Sequence, residues 1–499
     1  MRKYFLSVYF GYHDSCITIS SDKEILLHLE AERVFRKKHM RVDKERMVEL
    51  IKIGLFYLKI TIDEISKLYL ARWNNQFGEG KINILGRYFQ PILTSHHENH
   101  IGTGLVSGFK EAVIVCADGG SEDGTTRVYL KKGSKISFLE DLDDTPMTGK
   151  FYGTLTQMII EPRFGRAHDT APGKMMGLAA TGVLSKEFYQ LLEKYWPEIN
   201  KLHFKGCEHL LNIFRLKPKY SAPWRDKRRM NLAYTAQKFW ERKFCSKLKL
   251  YRKYSENIIL VGGCAYNISL NSLIADSKLY KRVYITPVSG DCGQSLGAII
   301  FYNPGIICNY PFLGRSFGKI DDCANLDEII KDLLNHKIIC WHQGRSEIGP
   351  RALGHRSFIG LADSVKMSWR LNTKIKRREP YRPVAPIVAE EFLEEFFETK
   401  QKSPFMTFAP RAKKKTIRFA PAIIHSDETS RIQTVSIEDN PIMHEILIRI
   451  MKVQGVPILM NSSLNIKGYP IVDSPKDTLN TFRMSGADVC YINGKRYDK

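Results

Sequence analysis

Apolar positions in the first thirty residues come in three short runs broken by polar turns. Tyr4 to Phe10 reads as a strand, Gly11 to Ser15 as a tight polar turn, and Cys16 to Ile19 and Glu24 to Leu29 as the arms of a returning hairpin. Helical spacing follows over Lys44 to Leu58 and over Thr61 to Leu68. A second strand, Ala112 to Ala117, ends in Asp118-Gly119-Gly120 and is followed by a strand-like Thr126 to Leu130, so the succession of strand, polar turn and hairpin occurs twice. Asn257 to Val261 is a strand ending in Gly262-Gly263, with a helix from Asn267. Val283 to Ile285 leads through Gly290-Asp291-Cys292-Gly293 to a helix from Gln294. Pro and Gly punctuate residues 303–325, then a helix over Leu326 to Asn335 and a strand over Lys337 to Trp341 open a new α/β segment. A domain boundary is expected there.

The repeat predicts two related halves of an actin-like nucleotide-binding fold. Glycines that end a strand before a helix N-terminus let backbone N–H groups approach phosphate, although such glycines also simply terminate strands. Composition changes the picture in three ways. With 43% hydrophobic residues over 499 positions the chain buries substantial cores, which excludes a disordered basic tail. Polar residues interrupt the start before a signal-peptide core, and no apolar run is long enough to span a membrane. Ten cysteines without a CxxC pair read as reduced, mostly buried thiols of a cytoplasmic protein. The net charge of +23 suits an anionic partner or substrate.

Three constellations carry candidate chemistry. In His96-His97-Glu98-Asn99-His100, a helix sets His96 and His100 one turn apart on one face, the spacing at which a metal takes two imidazoles. Carboxylates must then come from elsewhere, with Asp118 and Asp291 as candidates; imidazole with oxygen suits Fe, Mn or Zn rather than Ca. From Arg345 to Arg382 there are seven arginines and three lysines against three acidic residues, interleaved with Gly and Pro. Guanidinium forks bind phosphate bidentately, so this stretch reads as a site for a small phosphorylated substrate, with Glu347 holding an arginine or accepting from an amide. Asn461-Ser462-Ser463-Leu464-Asn465 follows a strand over Val456 to Met460 and can donate to carbonyl or phosphate oxygens, or make ordinary turns.

Taken in order, these pieces resemble the O-carbamoyltransferase family of antibiotic and nodulation-factor biosynthesis. The matching pieces are Gly11-Tyr12-His13-Asp14-Ser15, Glu32-Arg33 with Lys38-His39, His96 to His100, Asp118-Gly119-Gly120, Gly173-Lys174 to Ala179, Gly262 to Asn267 and Gly290 to Gly293. They continue with Arg345 to Arg356, Arg377 to Pro386, Ser430 to Val435 and Asn461 to Asn465. Leu464 departs from the Asn-Thr-Ser-Phe-Asn of many relatives, which touches packing but no polar role.

The resemblance implies an actin-like (ASKHA) domain over residues 1–315 that transfers the carbamoyl group. It also implies a threonylcarbamoyl-AMP-synthase-like α/β domain over 316–499 that forms carbamoyl-adenylate from carbamoyl phosphate and ATP. His13 is then the expected general base with Asp14 as its orienter. Lys38, Gly119, Gly120, Lys174, Gly262, Gly263 and Asn267 are expected at the nucleotide. Arg345, Glu347, Arg351, Arg356, Lys376, Arg378, Arg382, Arg431, Asn461, Ser462 and Asn465 are expected at carbamoyl phosphate and ATP. His96, His100, Asp118 and Asp291 are expected to bind a divalent metal, implied as Fe(II), with Mg2+ accompanying ATP. The oligomeric state stays open, a homodimer among the options.

The acceptor is a separate question. Between Lys217 and Lys253 there are thirteen Lys and Arg against Asp226 and Glu241, interleaved with Tyr220, Trp224, Tyr234, Phe239 and Trp240; a second basic cluster is Arg411 to Arg418. Such patches suit a DNA backbone and base stacking, which leads to 5-hydroxymethylcytosine, in DNA or as its nucleotide, as the expected acceptor. The alternatives are a sugar or antibiotic-type small molecule, a tRNA-modifying transferase, and a non-catalytic ASKHA-type nucleic-acid-binding protein.

Overall fold

Strand β1 (Tyr4–Tyr9) is buried at all six positions, as a strand covered on both faces must be. It pairs antiparallel with β2 (Cys16–Ser21), which pairs antiparallel with β3 (Ile25–Glu30). On its other edge it runs parallel to β4 (Ile65–Ala71), which runs parallel to β5 (Ile92–Thr94), giving the order β3-β2-β1-β4-β5. Helix α1 (Lys44–Leu58) starts at Asp43, whose side chain accepts the Arg46 N–H, and buries Met47, Leu50, Ile51 and Leu55 in this core. Helix α2 (His96–Gly104) follows β5 directly.

The expected helix over Thr61 to Leu68 does not form. Thr61 and Glu64 make a capping box, a helix-start signal, but it yields only a 3-10 turn over Ile62–Glu64, and Ile65 already begins β4. Ile65, Leu68 and Leu70 are buried alongside β1, so parallel pairing and core burial override the local helical spacing.

The computed structural model describes residues 3–72, 74–78, 80–160, 171–202, 208–217, 222–318 and 326–499. Contacts divide the chain into two compact units, the first of Met1–Val106, Asp291–Ile424 and Glu428–Lys499, the second of Ser107–Gly290 and His425–Asp427. In the second unit β6 (Glu111–Ser121), β7 (Gly124–Lys132) and β8 (Lys135–Asp141) form an antiparallel meander. Strand β9 (Asn257–Val261) runs parallel to β6 and β10 (Arg282–Ile285) parallel to β9, so the order is β8-β7-β6-β9-β10. Both sheets thus have the same strand order and the same mixture of antiparallel hairpins and parallel crossovers. This duplication is the expected actin-like arrangement. Helices α3 (Gly149–Ile160), α4 (Lys227–Tyr251) and α5 (Ile268–Asp276) belong to this unit.

In the first unit, helix α6 (Gln294–Tyr302) packs on α2 at two glycines. A Cβ on Gly102 would lie 2.0 Å from the Gly297 carbonyl oxygen, and one on Gly297 would lie 1.7 Å from that of Asn99.

The C-terminal part carries a seven-stranded sheet of β11 (Ile339–His342), β12 (Arg356–Leu361), β13 (Ala385–Ala389), β14 (Gln433–Val435), β15 (Ile458–Ser463), β16 (Val489–Ile492) and β17 (Lys495–Tyr497). Its order is β14-β13-β15-β12-β11-β16-β17. Strand alternation divides its side chains between two cores: Cys340 and Phe358 enter one, Ile339, Trp341 and Ile359 the other. No disulfide joins the described cysteines, and Cys207 and Cys323 lie outside the described residues. Among the described residues no helix is long and apolar enough to cross a membrane.

The helix contact generates a prediction. Gly102→Ala forces backbone apart rather than displacing a side-chain tip, so it is expected to lower the unfolding free energy by about 3 kcal/mol, at the upper end of overpacking costs, as read from denaturant unfolding. Gly86→Ala, where nothing lies within 4 Å but φ is +89°, tests backbone strain without overpacking and is expected to cost about 1 kcal/mol.

Candidate active site

A capping box begins α2: Ser95 accepts the Glu98 N–H, and the Glu98 carboxylate accepts that of Ser95. His96 and His100 then fall on one face, both fully buried. Their Nε2 atoms lie 3.0 Å apart, and Asp291 Oδ1, in the turn before α6, lies 3.4 Å from the first and 3.5 Å from the second. Tyr9 Oη donates to the other Asp291 oxygen at 2.6 Å. Burial raises the Asp291 pKa, but the facing imidazoles overcome it and hold the carboxyl well below the usual range. An ion about 2.1 Å from each of three donors has donor–donor edges of about 3.0–3.4 Å. These two imidazoles and one carboxylate therefore fit a transition metal.

Beside this cluster one carboxylate holds two further imidazoles. Asp14 Oδ2 is 2.9 Å from His13 Nδ1 and Asp14 Oδ1 is 3.1 Å from His39 Nδ1. Glu32 fixes the other side of His39 by accepting its backbone N–H at 2.8 Å. Asp14 and His39 sit at φ +54° and +50°, a left-handed conformation that costs non-glycine residues about 1–3 kcal/mol and is held where the surroundings over-determine it. Burial raises the Asp14 pKa, yet the two imidazole hydrogen bonds bring it below the usual carboxylate range. His13 Nε2 is 3.9 Å from Asp291 Oδ2, so the His13–Asp14–His39 group adjoins the first cluster. His39 had no role assigned from sequence. Its only signal was membership of the Lys38-His39 piece, since nothing local ties residue 39 to residues 13 and 14.

In the second unit Asp118 ends the buried part of β6. Its Oδ1 accepts the N–H of Gly119, the next residue of the strand, at 2.7 Å and of Gly263, in the turn after β9, at 3.3 Å, so both backbones aim the carboxylate. Gly262 is glycine for a reason other than phosphate access: φ is +87° and a Cβ would lie 2.2 Å from the Ala117 carbonyl oxygen. At Gly119 a Cβ would meet nothing within 4 Å, and at Gly120 it would meet the Lys150 side chain at 3.3 Å. Asn267 caps α5 by accepting the Leu270 N–H at 3.0 Å and is bound to Gln237. Lys174 stands on the helix Ala171–Ala179.

The arginine-rich stretch sorts into two groups. Arg345 donates to the carbonyls of Gly314, Leu26 and Leu313. Arg356, fully buried, donates to those of Asp473, Gln343, His355, Arg315 and Gly344. Glu347 Oε1 accepts the N–H groups of Leu353, His355 and Arg356, and Arg33 reaches the Glu347 and Gly349 carbonyls. These residues fold the 344–356 loop and tie it to β3.

Arg351, Arg378, Arg382 and Arg431 form the other group. Burial lowers the Arg431 pKa well below the ordinary guanidinium value, and the charges of Arg351, Arg378 and Arg382 lower it further; its buried Nε has no hydrogen-bond partner among the described residues. Burial and then Arg382 bring Arg378 down to about 9. Lys376 is lowered by burial, then by Arg378, Lys38 and Arg382, which places Lys38 on the edge of the same cationic cluster. Lys376 Nζ is anchored on the Ser463 hydroxyl at 3.1 Å and on the Asn465 side-chain and backbone oxygens, each at 2.9 Å. Asn461, on β15, donates through Nδ2 to the Ala352 carbonyl and Gln433 Oε1, while its buried Oδ1 has no partner. Ser462 follows it on the strand and Asn465 donates to the Tyr469 carbonyl.

Six of the thirteen cations in the basic region around α4 pair with carboxylates. Arg228 pairs with Glu187, Arg229 with Asp226, Lys238 with Glu241, Lys243 with Glu193, Lys247 with Glu140 and Arg252 with Glu256. Phe239 and Trp240 are core residues at 0% and 1% exposure, so they offer no stacking face; Lys219 and Tyr220 lie outside the described residues. In the second basic cluster Arg411 pairs with Glu428 and Lys415 with Glu395.

Comparison with known proteins identifies the family to which this duplicated α/β fold and its cationic C-terminal segment belong. Residues 57–300 match the model of the carbamoyltransferase N-terminus and residues 330–499 that of the carbamoyltransferase C-terminus. The chain belongs to the carbamoyltransferase family. It is 29% identical over 432 residues to the nodulation protein NolO of Bradyrhizobium diazoefficiens, covering 79% of this chain and 77% of that protein. It is 28% identical over 533 residues to nodulation protein U of Sinorhizobium fredii, covering 91% and 92%. Among solved structures it is similar to component A of the (R)-2-hydroxyglutaryl-CoA dehydratase of Acidaminococcus fermentans, at TM-score 0.37 and 11% identity over 60% of this chain and 97% of that one.

The two arginine groups separate experimentally. Arg356→Met leaves five carbonyls unpaired and is expected to cost about 3–5 kcal/mol of stability in calorimetry, the range for breaking buried charged networks. Arg431→Met removes like-charge repulsion, so its melting temperature is expected to stay level or rise, while the stabilisation produced by added inorganic phosphate falls.

Proposed function

We propose that the protein uses carbamoyl phosphate and ATP to carbamoylate an acceptor hydroxyl by way of carbamoyl-adenylate. The supporting observation is Arg431, a buried guanidinium whose charge is disfavoured further by those of Arg351, Arg378 and Arg382. Two phosphorylated substrates would relieve that repulsion, and donors already fixed by the fold stabilise charge as the anhydride forms. In the C-terminal part, over residues 316–499, water hydrolyses carbamoyl phosphate to carbamate and inorganic phosphate. A carbamate oxygen attacks the α-phosphorus of ATP, and pyrophosphate leaves. Asn461, beside Gln433, is positioned to orient a carbamoyl amide, its unpartnered Oδ1 accepting from the NH2 group.

The N-terminal part, over residues 1–315, takes the transfer step. The acceptor oxygen attacks the carbamoyl carbon, AMP leaves, and His13 takes the hydroxyl proton with Asp14 fixing its ring. His96, His100 and Asp291, with Asp118 as the fourth residue assigned by the resemblance, would hold a divalent metal such as Fe(II), which supplies a Lewis acid at the phosphate and carbonyl oxygens. The glycines at 119 and 120 and Lys174 would face the nucleotide, and Mg2+ would accompany ATP.

For the acceptor, the pairing of the basic helix favours a small molecule over polymeric DNA. The 5-hydroxymethylcytosine nucleotide is the preferred acceptor and a sugar hydroxyl the second reading.

Three measurements test this reading. Wild-type protein is expected to release pyrophosphate from ATP only when carbamoyl phosphate is present, without any acceptor; no such release would refute the adenylate route. His13→Asn is expected to keep that release but to lose transfer by about 10²–10⁴-fold, the usual contribution of a general base, as read by mass spectrometry of the acceptor. His100→Ala is expected to purify anaerobically with its transition-metal content lost.

A further inference from the structure

Immediately before His13 the chain places Tyr12, a residue that is 59% exposed. The Arg41 guanidinium lies over that ring, 5.5 Å from its centroid. Arg41 Nη2 also donates to Asn74 Oδ1 at 3.3 Å, and Asn74 Nδ2 donates to the Gly11 carbonyl. Asn74 thus ties the arginine to the turn that carries Tyr12 and His13. The turn itself cannot relax easily: Gly11 is at φ +59°, and a Cβ there would lie 2.4 Å from the His13 carbonyl oxygen. Asn74 holds a left-handed φ of +57° and Asp14 one of +54°. Strained backbone of this kind, over-determined by side-chain contacts, collects where a protein must hold side chains in fixed positions.

The pair has a chemistry of its own. An aromatic face stacks on any planar ring, and an arginine placed beside it adds a fixed positive charge with fork-like donors suited to phosphate. Among the described residues Arg41 has no carboxylate within ion-pair distance, unlike most cations of α4. Its charge is therefore available to a ligand.

We propose that Tyr12, Arg41 and Asn74 form the acceptor subsite and select an acceptor made of a planar ring bearing an anionic group, with nucleoside monophosphates as the class. The ring stacks on Tyr12 and the phosphate meets Arg41, which brings a hydroxyl carried by the ring system towards His13. This inference rests on the carbamoyl-transfer reading for its purpose, but binding can be measured without turnover.

The test is calorimetric titration of the full-length protein with cytidine monophosphate, and with cytidine and ribose 5-phosphate as the ring-only and phosphate-only arms. Cytidine monophosphate is expected to bind at least about tenfold more tightly than either arm, since each stacked base contributes about 1–3 kcal/mol. Tyr12→Ala and Arg41→Gln are each expected to weaken it about tenfold, with Tyr12→Phe close to wild type, provided thermal unfolding confirms that the variants fold. If cytidine monophosphate does not bind at millimolar concentration, or if it binds equally well to Tyr12→Ala and Arg41→Gln, the proposal is wrong. Ribose 5-phosphate binding as tightly as the nucleotide would also overturn it, since the ring would then contribute nothing. Pyrophosphate release without acceptor reports separately on the adenylate reading, so either inference can fail alone.

Discussion

A carbonyl oxygen occupies the space where a side chain would begin, at Gly102 against Gly297 and at Gly297 against Asn99. That contact sets how closely α2 and α6 approach. The approach in turn sets the cluster, because His96 and His100 lie on α2 while Asp291 stands three residues before α6. Moving the helices apart by the width of a methyl group would leave two buried imidazoles and a buried carboxylate without each other, a costly state in a low-dielectric interior. Tyr9, from the central strand β1, completes the support by donating to Asp291. Through His13 the same cluster reaches Asp14 and His39, so one packing contact governs the geometry of six polar residues.

In the C-terminal part the governing constraint is charge. Arg345 and Arg356 are surrounded by carbonyl oxygens and act as cross-links of the 344–356 loop. Arg431 is instead buried beside the charges of Arg351, Arg378 and Arg382, which disfavour its own charge as burial does. Anion binding and stability are therefore linked, because a ligand that binds only the folded state stabilises it.

The large positive charge has a more local meaning than its total suggests. Glu140, Glu187 and Glu193, which neutralise Lys247, Arg228 and Lys243, come from β8 and from the helix Lys186–Lys201, outside the basic segment itself. Phe239 and Trp240 turn inward because they lie on the buried face of α4. At Arg431 burial and other guanidiniums weigh against the charge, a setting that the paired cations of α4 do not share.

Much of this was legible in the sequence. The strand at Asn257–Val261, the helix beginning at Gln294 and the repeat behind the two equal sheets follow from short-range patterns of burial and turn residues, which the structure keeps. The shared face of His96 and His100 follows from helical periodicity alone. Residues 61–68 were misread because a capping box and helical spacing are local signals, whereas pairing with β1 is decided by a strand some sixty residues earlier. The partition of the arginines was not legible for a related reason. Whether a guanidinium meets five carbonyls or three other guanidiniums depends on which distant loops fold against it, and the spacing of residues along the chain carries no record of that. Sequence alone determined the family of elements and the types of functional group available. The tertiary structure decided which groups spend their hydrogen bonds on the fold and which remain for a ligand, because burial and counter-charge are properties of neighbours in space.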